Sequence, residues 1–215
     1  MRRLSPLLLL LALGGLAGPA AAQPRVSVSV ALWGEDPPGR PRRALVYLHD
    51  LLADPRWNEQ LDNSLPVIVS HRLELWRSRG LIDQLQGFVE WRLIITKEPL
   101  LEEYAVTQVT QDRPGRPERF AVRDSAARYL AKPNLIDFQP NRRGTYYYSL
   151  TTKITTLSEA DMDQLERFLA GDPELITGDR GTLIGRTFRR ILLSIAGRPS
   201  VELDGKSETF EVSRE

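Results

Sequence analysis

His49-Asp50 is where proton-transfer chemistry would first be sought, because an imidazole titrating near neutrality beside a carboxylate is a common acid–base couple. Bonded neighbours do not face one another, however. On the short helix expected over Ala44 to Ala53 they point about 100° apart, so His49 would meet Leu45 or Ala53 rather than Asp50. His71, the other of two histidines, falls in phase with Val69 and Leu73 on what reads as a buried strand face, where a neutral, hydrogen-bonded core imidazole is expected. With no cysteine, and no carboxylates at ligand spacing, zinc finds no ligand set. Ser64 lacks the Gly-x-Ser-x-Gly turn of a nucleophile elbow and is read as a turn residue. Glu102-Glu103, Glu159, Asp161 and Asp163 evoke the paired acids of glycosidases, but they fall in expected turns or first helical turns, where they complement the macrodipole. Gly178-Asp179-Arg180-Gly181 and Gly185 lack the lysine and hydroxyl of a phosphate loop. No catalytic residue, metal or cofactor is nominated, and a hydrolase using His49 or His71 ranks last among the readings.

Two features point to binding instead. Arg186, Arg189 and Arg190 stand on one side of a helix expected from about Thr182 to Ala196, whose other side is apolar. Such a helix docks on its own sheet or lies on an anionic membrane surface. Tyr146-Tyr147-Tyr148 lies on an expected strand, so Tyr147 faces away from its two neighbours and offers an aromatic ring to an otherwise polar sheet face.

These side chains are positioned by elements whose periods are legible. Val26 to Leu32 alternates at period two and reads as a first strand, and Gly34 to Arg43 as a proline-rich loop. Asp54 can cap a helix that has Pro55 at its first position and turns Trp57 and Leu61 inward. Val67, Val69, His71, Leu73 and Leu75, then Val89, Trp91, Leu93 and Ile95, form the two arms of a long antiparallel hairpin. Glu74 opposite Glu90 would oppose like charges, so a register placing Glu74 by Arg92, or Arg72 by Glu90, is expected. Tyr104 to Gln111 should add a third strand, Phe120 to Val122 a brief pairing, and Asp124 a cap for a helix through Leu130. Tyr146 to Thr155 is the longest strand candidate. Ser158 caps a helix through Ala170, and Val201 to Gly205 reads as a hairpin turn into Phe210 and Val212. The sum is an α+β fold, mainly an antiparallel β-sheet with a sandwich-like arrangement among its options, several short helices and a C-terminal amphipathic helix.

The opening residues bear on location. Met1-Arg2-Arg3, an apolar run from Leu7 to Leu13 and the small residues Ala20-Ala21-Ala22 have the layout of a secretory signal peptide over residues 1–22, leaving residues 23–215 as a single globular domain. Retention of the segment as an anchor is the alternative, although Pro6, Pro19 and three glycines make a poor span. The 215 residues carry 29 basic and 28 acidic side chains, a formal charge of +1, so nothing pulls the chain towards nucleic acid. Absence of cysteine in an oxidising compartment leaves the core alone to hold the fold.

Trp57 to Pro66, Arg72 to Arg77, Asp83, Trp91 and the spacing Pro99-Leu100-x-x-x-Tyr104 together resemble a bacterial family of exported proteins, the domain-of-unknown-function family numbered 4390. Members of that family usually read Leu-x-x-Gly-Leu-Pro before the first long strand, and here Asn63-Ser64 replaces the glycine position. The resemblance covers about Val26 to the C-terminal helix. It implies an envelope protein with a signal peptide and assigns no catalytic residues.

The expectation is a noncatalytic protein exported to the periplasm or the extracellular space of a bacterium, which in the periplasm binds an envelope protein as an accessory domain, with peripheral membrane-surface contact as a further expectation. The alternative is a carrier of an apolar ligand or lipid in a cavity between the sheet and the C-terminal helix.

Overall fold

Alternating apolar and polar residues build nearly all of what the computed structural model describes, namely residues 25–33, 40–111, 113–156 and 200–213. In chain order the elements are β1 (Ser27–Leu32), β2 (Ala44–His49), α1 (Pro55–Asp62), β3 (Val67–Ser78), β4 (Gln84–Glu98), β5 (Glu103–Thr110), β6 (Arg113–Pro114) and β7 (Glu118–Phe120). They continue with α2 (Arg123–Leu130), β8 (Asn134–Ile136), β9 (Gly144–Thr156), β10 (Ser200–Lys206) and β11 (Phe210–Val212). The large sheet runs β10-β9-β3-β4-β5-β6, with β11 also on β9 and β7 also on β5. A three-stranded sheet, β1-β2-β8, packs β1 against β9 and β10. Every ladder is antiparallel. The fold is thus mainly antiparallel β in two sheets, with two short helices among the described residues.

The hairpin of β3 and β4 forms with Arg72 directly opposite Glu90, one of the two registers that avoid facing carboxylates. Arg72 donates from Nη1 to Glu90 Oε1 at 2.9 Å and from Nε to Glu74 Oε1 at 2.7 Å. Beyond Leu75 the register shifts, and the bulge carries Trp76 opposite Leu85.

Hydrocarbon is buried in two clusters on the inner face of the large sheet. One joins Val67, Val69, Ile95, Val106 and Ile154 to Leu48, Trp57, Leu61 and Leu130 beneath the helices. The other joins Leu73, Leu75, Trp91, Tyr148 and Leu150 to Val30, Val46 and Ile136 of the small sheet. α1 begins as its sequence predicts: the Asp54 carboxylate accepts from the Arg56 amide at 3.1 Å, Pro55 sits in the first turn, and Trp57 and Leu61 are buried.

Several expectations are corrected. The helix over Ala44 to Ala53 is strand β2 followed by a turn, because Ala44, Val46 and Leu48 point inward at period two and Asp50 takes a left-handed backbone, φ 57. Pairing with β1 and β8 outweighs the helical spacing of Leu45, Leu48 and Leu52. Asp124 does not cap α2. Val122 occupies that position without a side-chain bond, and Asp124 lies in the first turn. Asp204-Gly205 is interior to β10, and β10 and β11 follow one another along β9 instead of pairing together. Ser207 bridges the gap between them, accepting the Tyr148 amide on Oγ at 2.9 Å and donating its own amide to Tyr148 O at 3.0 Å. β4, at 15 residues, exceeds β9 at 13. The signal segment 1–22, the helix from Ser158 to Ala170 and the C-terminal helix from Thr182 to Ala196 lie outside the described residues.

Candidate functional site

His71 is placed by strand phase alone. Even spacing from Val67 and Val69 turns it to the inner face, and cross-strand pairing sets Thr152 of β9 on one side of it and Trp91 of β4 on the other. Its Nδ1 is hydrogen-bonded to Thr152 Oγ1 at 2.8 Å, and its ring stacks on the Trp91 indole with centroids 4.8 Å apart. The imidazole is 3% exposed, and burial pushes its pKa from the ordinary 6.5 to about 4. This is the neutral core histidine expected from sequence.

His71 and Trp91 form the floor of a cleft of about 220 Å³. Val46 and Leu48 of β2 and Asn134 of β8 supply one wall. Leu93 and Gln108 line the side towards β5, and Tyr129, Leu130 and Lys132 close it from the end of α2. Tyr129 is held by the Phe120 ring at 5.1 Å, and the Lys132 ammonium lies 5.9 Å from its centroid. Burial, with Glu118 adding a smaller effect, raises the Tyr129 phenol above its usual range. Both shifted groups are therefore driven to their neutral forms, so the cleft is a place for apolar contact and neutral hydrogen bonds. A second hollow of about 220 Å³, lined by Leu51, Leu52, Ala53, Ala127 and Ala131 with Asp50 and Arg128 also contributing, shares Leu48 and Leu130 with the first.

His49 lies on the other sheet from His71. Its Nε2 is hydrogen-bonded to Ser29 Oγ at 3.1 Å, and its ring stacks on Tyr47 at 5.7 Å. Ser64 is an exposed turn residue with φ 60. Glu103 lies 3.7 Å from Arg119 in an ion pair on β5 and β7. No group of three or more His, Asp or Glu side chains among the described residues is arranged to hold a metal.

Tyr147 does face away from Tyr146 and Tyr148, opposite Trp76 on the outer face. Its hydroxyl donates to Asp83 Oδ2 at 2.8 Å and the Lys206 ammonium caps its ring at 3.7 Å, leaving the residue 9% exposed. Burial first, then Asp83, raises its phenol pKa, while the hydrogen bond from Tyr147 holds the Asp83 carboxyl low. Nearby, the Arg72 guanidinium stacks on Phe88 at 3.8 Å and Trp76 Nε1 donates to Glu74 Oε2 at 2.9 Å. Arg186, Arg189 and Arg190 lie outside the described residues.

Sequence reasoning missed the cleft because its walls come from residues 46–48, 71, 91–93, 108 and 129–134. The readable signal was one polar residue, His71, in an otherwise apolar row. No family model, no curated protein and no solved structure matches the chain.

Proposed function

We propose that this chain is a noncatalytic, exported binding domain of the bacterial envelope that anchors apolar side chains of a partner protein in the His71–Trp91 cleft and its neighbouring hollow. The observation that carries the reading is size. At about 220 Å³ each, the two spaces fall below the roughly 300–1,000 Å³ typical of small-molecule sites, and each suits one large side chain. Two such hollows divided by Leu48 and Leu130 match successive anchors of a polypeptide better than one continuous lipid tail. A histidine that takes a proton only near pH 4 is a poor general base at neutral pH, which keeps the hydrolase reading last.

Export rests on the signal-like residues 1–22, and a place in the cell envelope rests on the likeness to the exported family numbered 4390. Ser64, which departs from the glycine of that family, takes a left-handed backbone in the turn before β3. The test replaces Lys132, at the cleft rim, by a photo-crosslinking benzoylphenylalanine in the full chain within the native envelope. A discrete protein adduct is expected, and it should disappear when Leu93→Trp fills the cleft in a variant whose unfolding midpoint is unchanged. Adducts with lipid alone would favour the carrier reading, and a protein adduct indifferent to the filled cleft would remove the site.

A further inference from the structure

The turn joining β3 to β4 ends in two aliphatic side chains that touch almost nothing: Leu81 is 100% exposed and Ile82 80%. Behind them on the same ribbon are Leu85 and Phe88, 40% and 49% exposed. A second apolar turn joins β4 to β5, with Leu100 at 91% and Leu101 at 64%, and lies at the opposite end of β4, about 50 Å away at 3.3 Å per residue.

The charges around the two turns differ in sign. Arg77 and Arg79 flank the first, and Arg142 and Arg143 are brought beside it because β9 starts at Gly144, next to the end of β3. Arg77 donates from Nη2 to Arg143 O at 2.6 Å. It can lie there because Gly144, at φ 148, has no Cβ, which would stand 2.6 Å from Arg77 Nε. Among the described residues the acids at this end include Asp83, drawn back to Tyr147 with Lys206 close by, Glu211 opposite Thr145, and Glu74, which accepts from Arg72 and Trp76. Among the described residues basic side chains therefore predominate. The second turn carries Glu98, Glu102 and Glu103, of which Glu103 is paired with Arg119, while Lys97 beside them is taken up by Asp62, so acids remain in excess there.

We infer that the β3–β4 turn inserts Leu81 and Ile82 into the headgroup region of an anionic phospholipid bilayer, with Arg77, Arg79, Arg142 and Arg143 meeting its phosphates. Charge complementarity selects an anionic occupant, and shape selects a fluid one. Both turns are convex, so the basic turn of one copy and the acidic turn of another cannot bury each other, whereas lipid closes around a protruding apex. The acidic turn, at the far end of the same strand, keeps the sheet pointing away from the surface. The His71–Trp91 cleft lies along the middle of β3 and β4, under β2, β8 and α2, and includes no residue of the turn, so the two proposals stand or fall separately.

A cysteine-free chain allows clean labelling. Full-length Ile82→Cys and Leu100→Cys proteins, each carrying an environment-sensitive nitrobenzoxadiazole on the new thiol, are mixed with vesicles of phosphatidylethanolamine and phosphatidylglycerol, or of phosphatidylcholine alone. The expected result is a several-fold rise and blue shift in emission from the label at position 82 with anionic vesicles, abolished by 0.5 M salt, and no change at position 100. Arg79→Gln with Arg142→Gln should weaken vesicle affinity about 25-fold, at roughly five-fold per arginine. A silent label at position 82 would overturn the inference, as would equal responses at both positions. So would a response that follows protein concentration without vesicles, which would indicate contact between copies.

Discussion

His71 offers the sharpest test of how burial controls chemistry here. The imidazole is enclosed by Trp91, Thr152 and the cleft walls, and its pKa falls to about 4 from the 6.5 of an exposed histidine. Between those values the unfolded chain binds a proton that the folded chain refuses. Stability is therefore full above pH 6.5 and declines as pH falls, by about a factor of ten in the folding equilibrium per pH unit, until His71 protonates in the folded state near pH 4. The whole window is worth roughly 3 kcal/mol, a large share of the 5–15 kcal/mol that holds a typical domain together. Asp54, whose carboxyl is held below its ordinary 3.8 chiefly by Arg56, acts only at lower pH and does not confuse the reading. Urea unfolding of the wild-type chain and of His71→Asn, followed by circular dichroism from pH 7.5 to 4.5, isolates the effect. Asparagine keeps a polar atom for Thr152 but does not titrate. The variant should start less stable, having lost the stack on Trp91, and should lack the histidine's share of the decline with acid. Identical slopes for both proteins, or a His71 resonance titrating near 6.5 in the folded state, would refute the reasoning.

Two further outcomes follow from backbone geometry and capping. Ser64 pays the left-handed penalty of an L-residue at φ 60, so Ser64→Gly should raise the thermal midpoint, with a gain of up to about 1 kcal/mol, while Ser64→Val should lower it. Asp54 accepts the amides of Val26, at 3.2 Å, and of Arg56, and binds the Arg56 guanidinium at 2.7 Å, all while 2% exposed. Asp54→Ala should cost about 2 kcal/mol in denaturant unfolding, and Asp54→Asn less, because the amide oxygen still caps α1.

Local pattern determined the strands β3, β4, β5 and β9, the capped start of α1 and the inward phase of His71, because alternation and capping are written within a few residues. The pairing of Arg72 with Glu90 was legible too, since like charges facing across a ladder exclude the neighbouring register. Ala44 to Ala53 misled because three leucines at helical spacing cannot reveal that partners at residues 27–32 and 134–136 offer strand edges. Nor could the tyrosine triplet disclose that Asp83 and Lys206 would occupy Tyr147 from distant parts of the chain. Only tertiary packing decided the cleft, where Val46, His71, Trp91 and Leu130 converge, and the neutrality of His71. Both depend on which surfaces exclude water from one another, and that is settled between elements, beyond the reach of any single periodic segment.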